Sequence, residues 1–127
     1  MKALVVFAPL SLAVVLGPSL VAGQAPPPVF TAEQAAAGRT AYQTSCAACH
    51  LPDLRGRNEA SPLAGPNFMN TWRGRTTREL FEFIASSMPP GGATLPPETY
   101  LAITAYLLQA NGAASGATPL AATTAAP

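Results

Sequence analysis

The chain has 127 residues, with seven basic and six acidic side chains, a formal net charge of +1 and 49% hydrophobic residues. Nothing in this balanced composition resembles the clearly basic face that a nucleic-acid-binding protein needs, and the arginines between residues 55 and 78 are expected to be an ordinary solvated surface. The central segment, about residues 30–112, is small enough that its hydrophobic core alone would give little stability, so a cofactor or cross-link is expected.

The first 23 residues have the pattern of a secretory signal peptide. Lys2 supplies a positive charge, Ala3–Leu16 is apolar, and Val21-Ala22-Gly23 ends the segment with small residues. We expect the signal to be cleaved near this point and the protein to be exported to the periplasm. The mature chain would then begin with a proline-rich leader over residues 24–29 and would contain no membrane span. An uncleaved membrane anchor is the alternative, because the apolar stretch approaches the about 20 residues that cross a bilayer.

The first predicted helix begins after Thr31, where Thr31-Ala32-Glu33-Gln34 forms a capping box. It runs into Cys46-Ala47-Ala48-Cys49-His50, which is the c-type haem attachment sequence. Two thiols three residues apart in a helical turn can reach two vinyl groups of one haem, and the next residue can ligate the iron. We therefore predict that Cys46 and Cys49 bind haem covalently and that His50 is an axial ligand.

Three other uses of a Cys-x-x-Cys pair fit this chain less well. A disulfide that closes so small a loop adds little stability. A thioredoxin-like redox pair needs a βαβ context, and this sequence has no strand-rich region. A structural zinc site needs a fourth ligand, but the sequence contains no further Cys or His.

The next segment, Leu51–Arg75, is rich in Pro, Gly and Asn and is predicted to be a loop. A second helix begins at Thr76, because Thr76-Thr77-Arg78-Glu79 is another capping box. Leu80, Phe81 and Ile84 give this helix an apolar face.

The opposite axial ligand has to be another residue type, because His50 is the only histidine. Met88 lies in Ser86–Gly92, where prolines and glycines end the helix and form a loop that can carry the sulfur across the haem. Met69 is the other candidate and could equally fill a gap in the core. We predict Met88, with an open distal site as the alternative.

The third predicted helix begins at Pro97, a residue favoured in the first helical position, and ends near Gly112. Beyond it, Ala113–Pro127 contains only small residues, Thr, Pro and one Leu, which predicts a flexible tail. The chain is therefore predicted to be all-α, with three main helices around one haem.

This order of helices and motifs resembles the class I cytochromes c over about residues 30–112. Gly38 and Tyr42 precede the first cysteine by eight and four residues, as a glycine and an aromatic residue do in that family. The resemblance implies that they pack against two residues of the last helix, Ile103 and Tyr106. By itself, a glycine inside a helix is a weakness of about 1 kcal/mol relative to alanine.

The resemblance also implies how the loop contributes to the haem pocket. Pro62–Gly65 is similar to a family segment in which a backbone carbonyl accepts a hydrogen bond from the ligating imidazole. Ser61 stands where the family commonly has proline, which leaves open which carbonyl serves. Trp72 is similar to a tryptophan that contacts a haem propionate, and core packing is the alternative. The pocket candidates are Leu63, Phe68, Trp72, Ile84, Leu80, Phe81 and Leu95.

The resemblance implies an exported monohaem cytochrome that carries single electrons and is not an enzyme. Its closing segments look like those of bacterial periplasmic cytochromes, some of which accept electrons from quinoprotein dehydrogenases. The expected partners are redox proteins, which could be a dehydrogenase that donates electrons or an oxidase that accepts them. No nucleic-acid partner is expected. The alternative function is a haem enzyme or ligand sensor with an open distal site.

Overall fold

The computed structural model describes residues 26–123, and this part of the chain is all-α, which confirms the predicted fold class. The only β pairing in residues 26–123 is an isolated bridge between Arg57 and Ala60. The helices are α1 (Ala32–Ser45), α2 (Ala47–His50), α3 (Pro66–Trp72), α4 (Thr77–Ser87) and α5 (Pro97–Ala110). The predicted signal peptide lies outside the described residues. None of these five helices is long and apolar enough to cross a membrane.

The two predicted capping boxes differ in how they form. At α4 both hydrogen bonds are present: Thr76 Oγ1 accepts from the Glu79 amide, and the Glu79 carboxylate accepts from the Thr76 amide. At α1 only half of the box forms, because Thr31 caps the Gln34 amide while the Gln34 side chain bonds the backbone of Leu120. The capping box predicted at Thr31 is therefore wrong in its second half.

Helices α1 and α5 cross tightly at Gly38. A Cβ atom added at Gly38 would lie 1.8 Å from the Ala102 carbonyl oxygen and 2.9 Å from the Ile103 amide nitrogen. One turn later in α1, the Tyr42 ring packs against Tyr106 with ring centroids 5.4 Å apart. These contacts agree with the packing that the family resemblance implied for Gly38 and Tyr42.

Helix α5 joins the other long helices, because both α1 and α4 pack against it. It begins at Pro97, as predicted, and ends at Ala110; Asn111 is its C-cap residue, and Gly112 follows with a φ of +96°. A positive φ suits glycine, which has no Cβ to clash with the backbone. The main core cluster consists of Tyr42, Ala47, Leu54, Phe68, Leu80, Ile84, Tyr100, Ile103 and Leu107.

The predicted loop Leu51–Arg75 contains a helix, α3, which corrects that prediction. Pro66 is the first residue of α3, a position whose N–H has no partner within the helix, so proline loses no hydrogen bond there. The helix has seven residues, and Phe68 is its only buried residue. So short an element shows no apolar repeat in the sequence, and it forms because Phe68 packs into the core.

The segment predicted to be a flexible tail is mostly exposed over residues 113–123, but it contacts the domain at Gly116 and Leu120. Leu120 is buried in a second apolar cluster with Phe30, Ala35 and Ala105. The Gly116 amide donates to the Phe30 carbonyl at 2.8 Å. One buried leucine and paired backbone groups anchor a segment whose average composition suggests disorder. The last four residues lie outside the described part of the chain.

Candidate functional site

A cavity of about 680 Å³ opens at the centre of the domain, with wall residues from all five helices. Its volume falls within the about 300–1,000 Å³ typical of ligand and cofactor pockets. The wall is mostly apolar, and Ile84, Ile103 and Leu107 form part of it. It also contains Cys46, Cys49, His50 and Met88, so the four residues predicted for haem attachment and ligation meet in one place.

The Cys-x-x-Cys-His segment is folded as a tight helical turn directly after α1. The Cys46 amide donates to the Tyr42 carbonyl at 2.8 Å, and the His50 amide donates to the Cys46 carbonyl at 3.0 Å. Both thiols are free; Cys46 is half-buried and Cys49 is exposed. Burial raises the pKa of the Cys46 thiol, so this group is neutral at neutral pH.

The imidazole of His50 is oriented by a backbone carbonyl. Its Nδ1 lies 2.8 Å from the Ser61 carbonyl oxygen, and the side chain is only 9% exposed. Because a carbonyl oxygen can only accept, Nδ1 is the donor in this bond, and Nε2 is the ring nitrogen that does not bond to Ser61. The structure therefore answers the question that the sequence left open: Ser61 supplies the carbonyl.

Asn111 holds the loop that follows Ser61. Its side-chain nitrogen donates to the carbonyls of Leu63 and Leu107, at 3.0 and 2.9 Å, and its oxygen accepts from the Gly65 amide at 3.0 Å. The end of α5 is thereby tied to the loop beside His50. Sequence reasoning missed this role, and the only local signal was an Asn placed just before the glycine that ends the helix.

Met88 lies at the end of α4 and lines the cavity, whereas Met69 is outside the cavity wall with 36% of its surface exposed. Met88 is also bonded at both of its peptide groups. Its amide donates to the Ile84 carbonyl at 2.9 Å, and its carbonyl accepts from the Tyr100 hydroxyl at 2.6 Å. Of the two candidate methionines, Met88 is thus the one positioned beside the cavity.

Five of the seven predicted pocket residues line the cavity, namely Leu63, Phe68, Trp72, Leu80 and Ile84. Phe81 and Leu95 instead pack against the core from outside the cavity wall, which corrects their assignment. Phe83 was not predicted because it lies off the apolar stripe of α4. It is 47% exposed and also lines the cavity.

Trp72 lies among aromatic and cationic groups at one wall of the cavity. Its ring centroid is 5.4 Å from that of Phe83, and the Arg75 guanidinium lies 5.1 Å from the ring. This geometry provides a cation–π contact. It is compatible both with a contact to a haem propionate and with packing alone, so the role of Trp72 remains a prediction.

The residues of the cavity fit a covalently bound haem. The cavity has a suitable volume and an apolar wall, two free thiols lie in one helical turn, and the adjacent imidazole has its Nδ1 already bonded. An all-α domain with this motif beside the crossing of its first and last helices is a c-type cytochrome.

The comparison with protein families agrees. The family model described as cytochrome c oxidase, cbb3-type, subunit III matches residues 33–107, and the chain belongs to this family. No curated protein and no solved structure matches the chain significantly. The family assignment confirms the resemblance to c-type cytochromes and the cofactor, a covalently bound haem c.

Proposed function

We propose that this chain is an exported electron carrier whose haem iron is ligated by His50 and Met88. The observation that supports this most directly is the shared cavity. His50 and Met88 both line it, and the Ser61 carbonyl engages Nδ1 of His50 so that Nε2 is available as a ligand. Haem c supplies a one-electron ferric/ferrous couple when it is bound.

Each cavity residue has a distinct part in this proposal. Cys46 and Cys49 hold the haem as thioethers, and His50 binds the iron with an orientation set by Ser61. Met88 contributes a soft thioether, which favours the reduced iron. The apolar wall excludes water and disfavours the more highly charged oxidised state. Both effects raise the reduction potential.

Two axial ligands from the chain also explain why electron transfer is favoured over catalysis. With His50 and Met88 both bound, no coordination position is open to dioxygen or peroxide. The chain has one histidine, which is assigned to the iron, so the distal side lacks the acid–base histidine that a peroxidase would use. We therefore propose a carrier rather than a haem enzyme or ligand sensor.

The partner is proposed to be a larger redox enzyme. The description of the matched family names a cytochrome c oxidase subunit, whereas the closing segments resemble cytochromes that accept electrons from dehydrogenases. We propose a respiratory enzyme on the oxidase side, with the dehydrogenase as the second candidate. The location proposed for this exchange is the periplasm, on the basis of the signal pattern in residues 1–23.

The first test is visible absorption of the protein after maturation in a host with haem-attachment machinery. We expect haem to remain with the polypeptide after extraction with acidified organic solvent. We also expect low-spin bands when reduced and the weak red Met–iron band when oxidised. A high-spin spectrum with rapid carbon monoxide binding would favour the sensor or enzyme alternative.

The second test compares Met88→Ala with Met69→Ala. Met88→Ala should keep the covalent haem, lose the Met–iron band and bind cyanide or imidazole readily. Met69→Ala, at an exposed residue outside the cavity wall, should keep the wild-type spectrum. An unchanged axial spectrum in Met88→Ala would contradict the axial assignment.

A further inference from the structure

The loop between α4 and α5, which begins with Met88, has little backbone structure of its own. Pro89 and Pro90 have no N–H donor, and Gly91 and Gly92 have φ angles of +98° and +90°. Apart from the turn at Pro90 and Gly91, the loop is irregular, and no backbone–backbone hydrogen bond joins residues 89–95 to another part of the described chain. Something outside the loop must therefore hold its shape.

One buried hydroxyl connects the two ends of this loop. The Tyr100 hydroxyl donates to the Met88 carbonyl at 2.6 Å and accepts from the Leu95 amide at 3.2 Å. A phenol has one proton to donate and can accept in return, and Tyr100 uses both capacities. Tyr100 is only 3% exposed, so water cannot easily replace either bond.

Met88 is consequently fixed between two helices. Its amide is bonded to α4 through the Ile84 carbonyl, and its carbonyl is bonded to α5 through Tyr100. Bonds on both sides of its Cα restrict the backbone torsions that set the direction of the side chain. Without the Tyr100 hydroxyl, only the bond to α4 would remain.

We infer that Tyr100 is a positioning residue that keeps the Met88 sulfur on the haem iron. This inference rests on the proposed axial role of Met88. Loss of the Tyr100 hydroxyl removes a restraint that holds the loop in the conformation in which Met88 ligates the iron. The Met88 sulfur itself is unchanged. The methionine should then leave the iron more often, and an added ligand should compete with it more effectively.

The test is imidazole binding to the oxidised holoprotein, followed by loss of the Met–iron band. Tyr100→Phe should increase the apparent imidazole affinity by about twofold to tenfold, the factor that corresponds to one net hydrogen bond. The matched control is Tyr106→Phe, on the same helix. The Tyr106 ring packs against Tyr42, and its hydroxyl has no hydrogen-bond partner among residues 26–123. Its imidazole affinity should equal that of the wild type.

Two comparisons separate this inference from other outcomes. If Met88→Ala opens the iron but Tyr100→Phe binds imidazole like the wild type, the positioning role is wrong and the axial assignment stands. If Met88→Ala leaves imidazole binding unchanged, the axial assignment itself fails. A purely structural role for Tyr100 would lower the denaturant midpoint of Tyr100→Phe without changing its imidazole affinity, and would also overturn the inference.

Amide hydrogen exchange in the wild type tests the same contact if Tyr100→Phe does not fold. The Leu95 amide should be protected because it donates to Tyr100. The amides of Ala93 and Thr94, which make no hydrogen bond within the described residues, should exchange rapidly. Rapid exchange at Leu95 would show that the hydroxyl does not hold the loop.

Discussion

The close crossing of α1 and α5 at Gly38 gives the sharpest prediction, because two effects of one substitution have opposite signs. Gly38→Ala improves the helix propensity of α1, which alone would stabilise the protein by about 1 kcal/mol. The added methyl group, however, would meet the Ala102 carbonyl oxygen at 1.8 Å. The measured sign of the change therefore shows which effect is larger.

The geometry indicates that the clash is larger. A real Cβ atom essentially never lies closer than 3.0 Å to another heavy atom. The added Cβ and the Ala102 carbonyl oxygen would be 1.8 Å apart, so they must separate by at least 1.2 Å. The obstacle is backbone, which cannot rotate away as a side chain can, and the two helices must move apart. A gap of 0.5–1 Å already forfeits about a quarter to a half of each van der Waals contact. Overpacking of this kind costs about 1–3 kcal/mol.

We expect Gly38→Ala to lower the free energy of unfolding by about 2 kcal/mol. This value is an overpacking cost of about 3 kcal/mol, reduced by the gain of about 1 kcal/mol in helix propensity. The assay is guanidinium unfolding of the holoprotein at 25 °C, followed by far-UV circular dichroism. Ala37→Gly, at an exposed neighbour, calibrates helix propensity in α1 and should cost about 1 kcal/mol. Gly74→Ala, where an added Cβ meets nothing within 4 Å, should be nearly neutral. A Gly38→Ala protein as stable as the wild type would refute the packing argument.

Two further predictions concern contacts between distant parts of the chain, both measured by the same unfolding assay. Asn111→Ala leaves the Leu63 carbonyl and the Gly65 amide without their partner, and should destabilise the protein by about 1–3 kcal/mol. The control Asn70→Ala, at an exposed residue, should change stability little. Equal effects of the two substitutions would show that the Asn111 bonds to the loop do not stabilise the protein. Leu120→Ala should cost about 2–4 kcal/mol because Leu120 is buried against Phe30. The exposed Thr118→Ala is its control, and a neutral Leu120→Ala would mean that the tail does not stabilise the domain.

Several features of the site could be predicted because short-range geometry determines them. Cys46, Cys49 and His50 lie within one helical turn, so their spacing alone brings two thiols and an imidazole to one wall of the cavity. The start of α4 could also be predicted from the sequence, because the two partners of its capping box, Thr76 and Glu79, lie only three residues apart. Family resemblance added the packing of Gly38, which no local rule distinguishes from a helix weakness.

The contacts that the sequence did not reveal join residues far apart along the chain. The Ser61 carbonyl is 11 residues from His50, the Leu63 carbonyl is 48 residues from Asn111, and the Leu120 backbone is 86 residues from Gln34. In each case one partner is a backbone carbonyl or amide, which every residue except proline offers in the same form. Residue type therefore carries no signal for such a bond.

The sequence by itself determined the chemistry of this protein: a haem attachment turn, one available histidine and a methionine in a loop that stops a helix. Only the tertiary structure decided how those groups are held, with Ser61 orienting the imidazole and Tyr100 joining the ends of the Met88 loop. The physical reason is that side-chain chemistry is local to a residue. Orientation depends on which backbone groups the packing of α1, α4 and α5 brings within hydrogen-bonding distance.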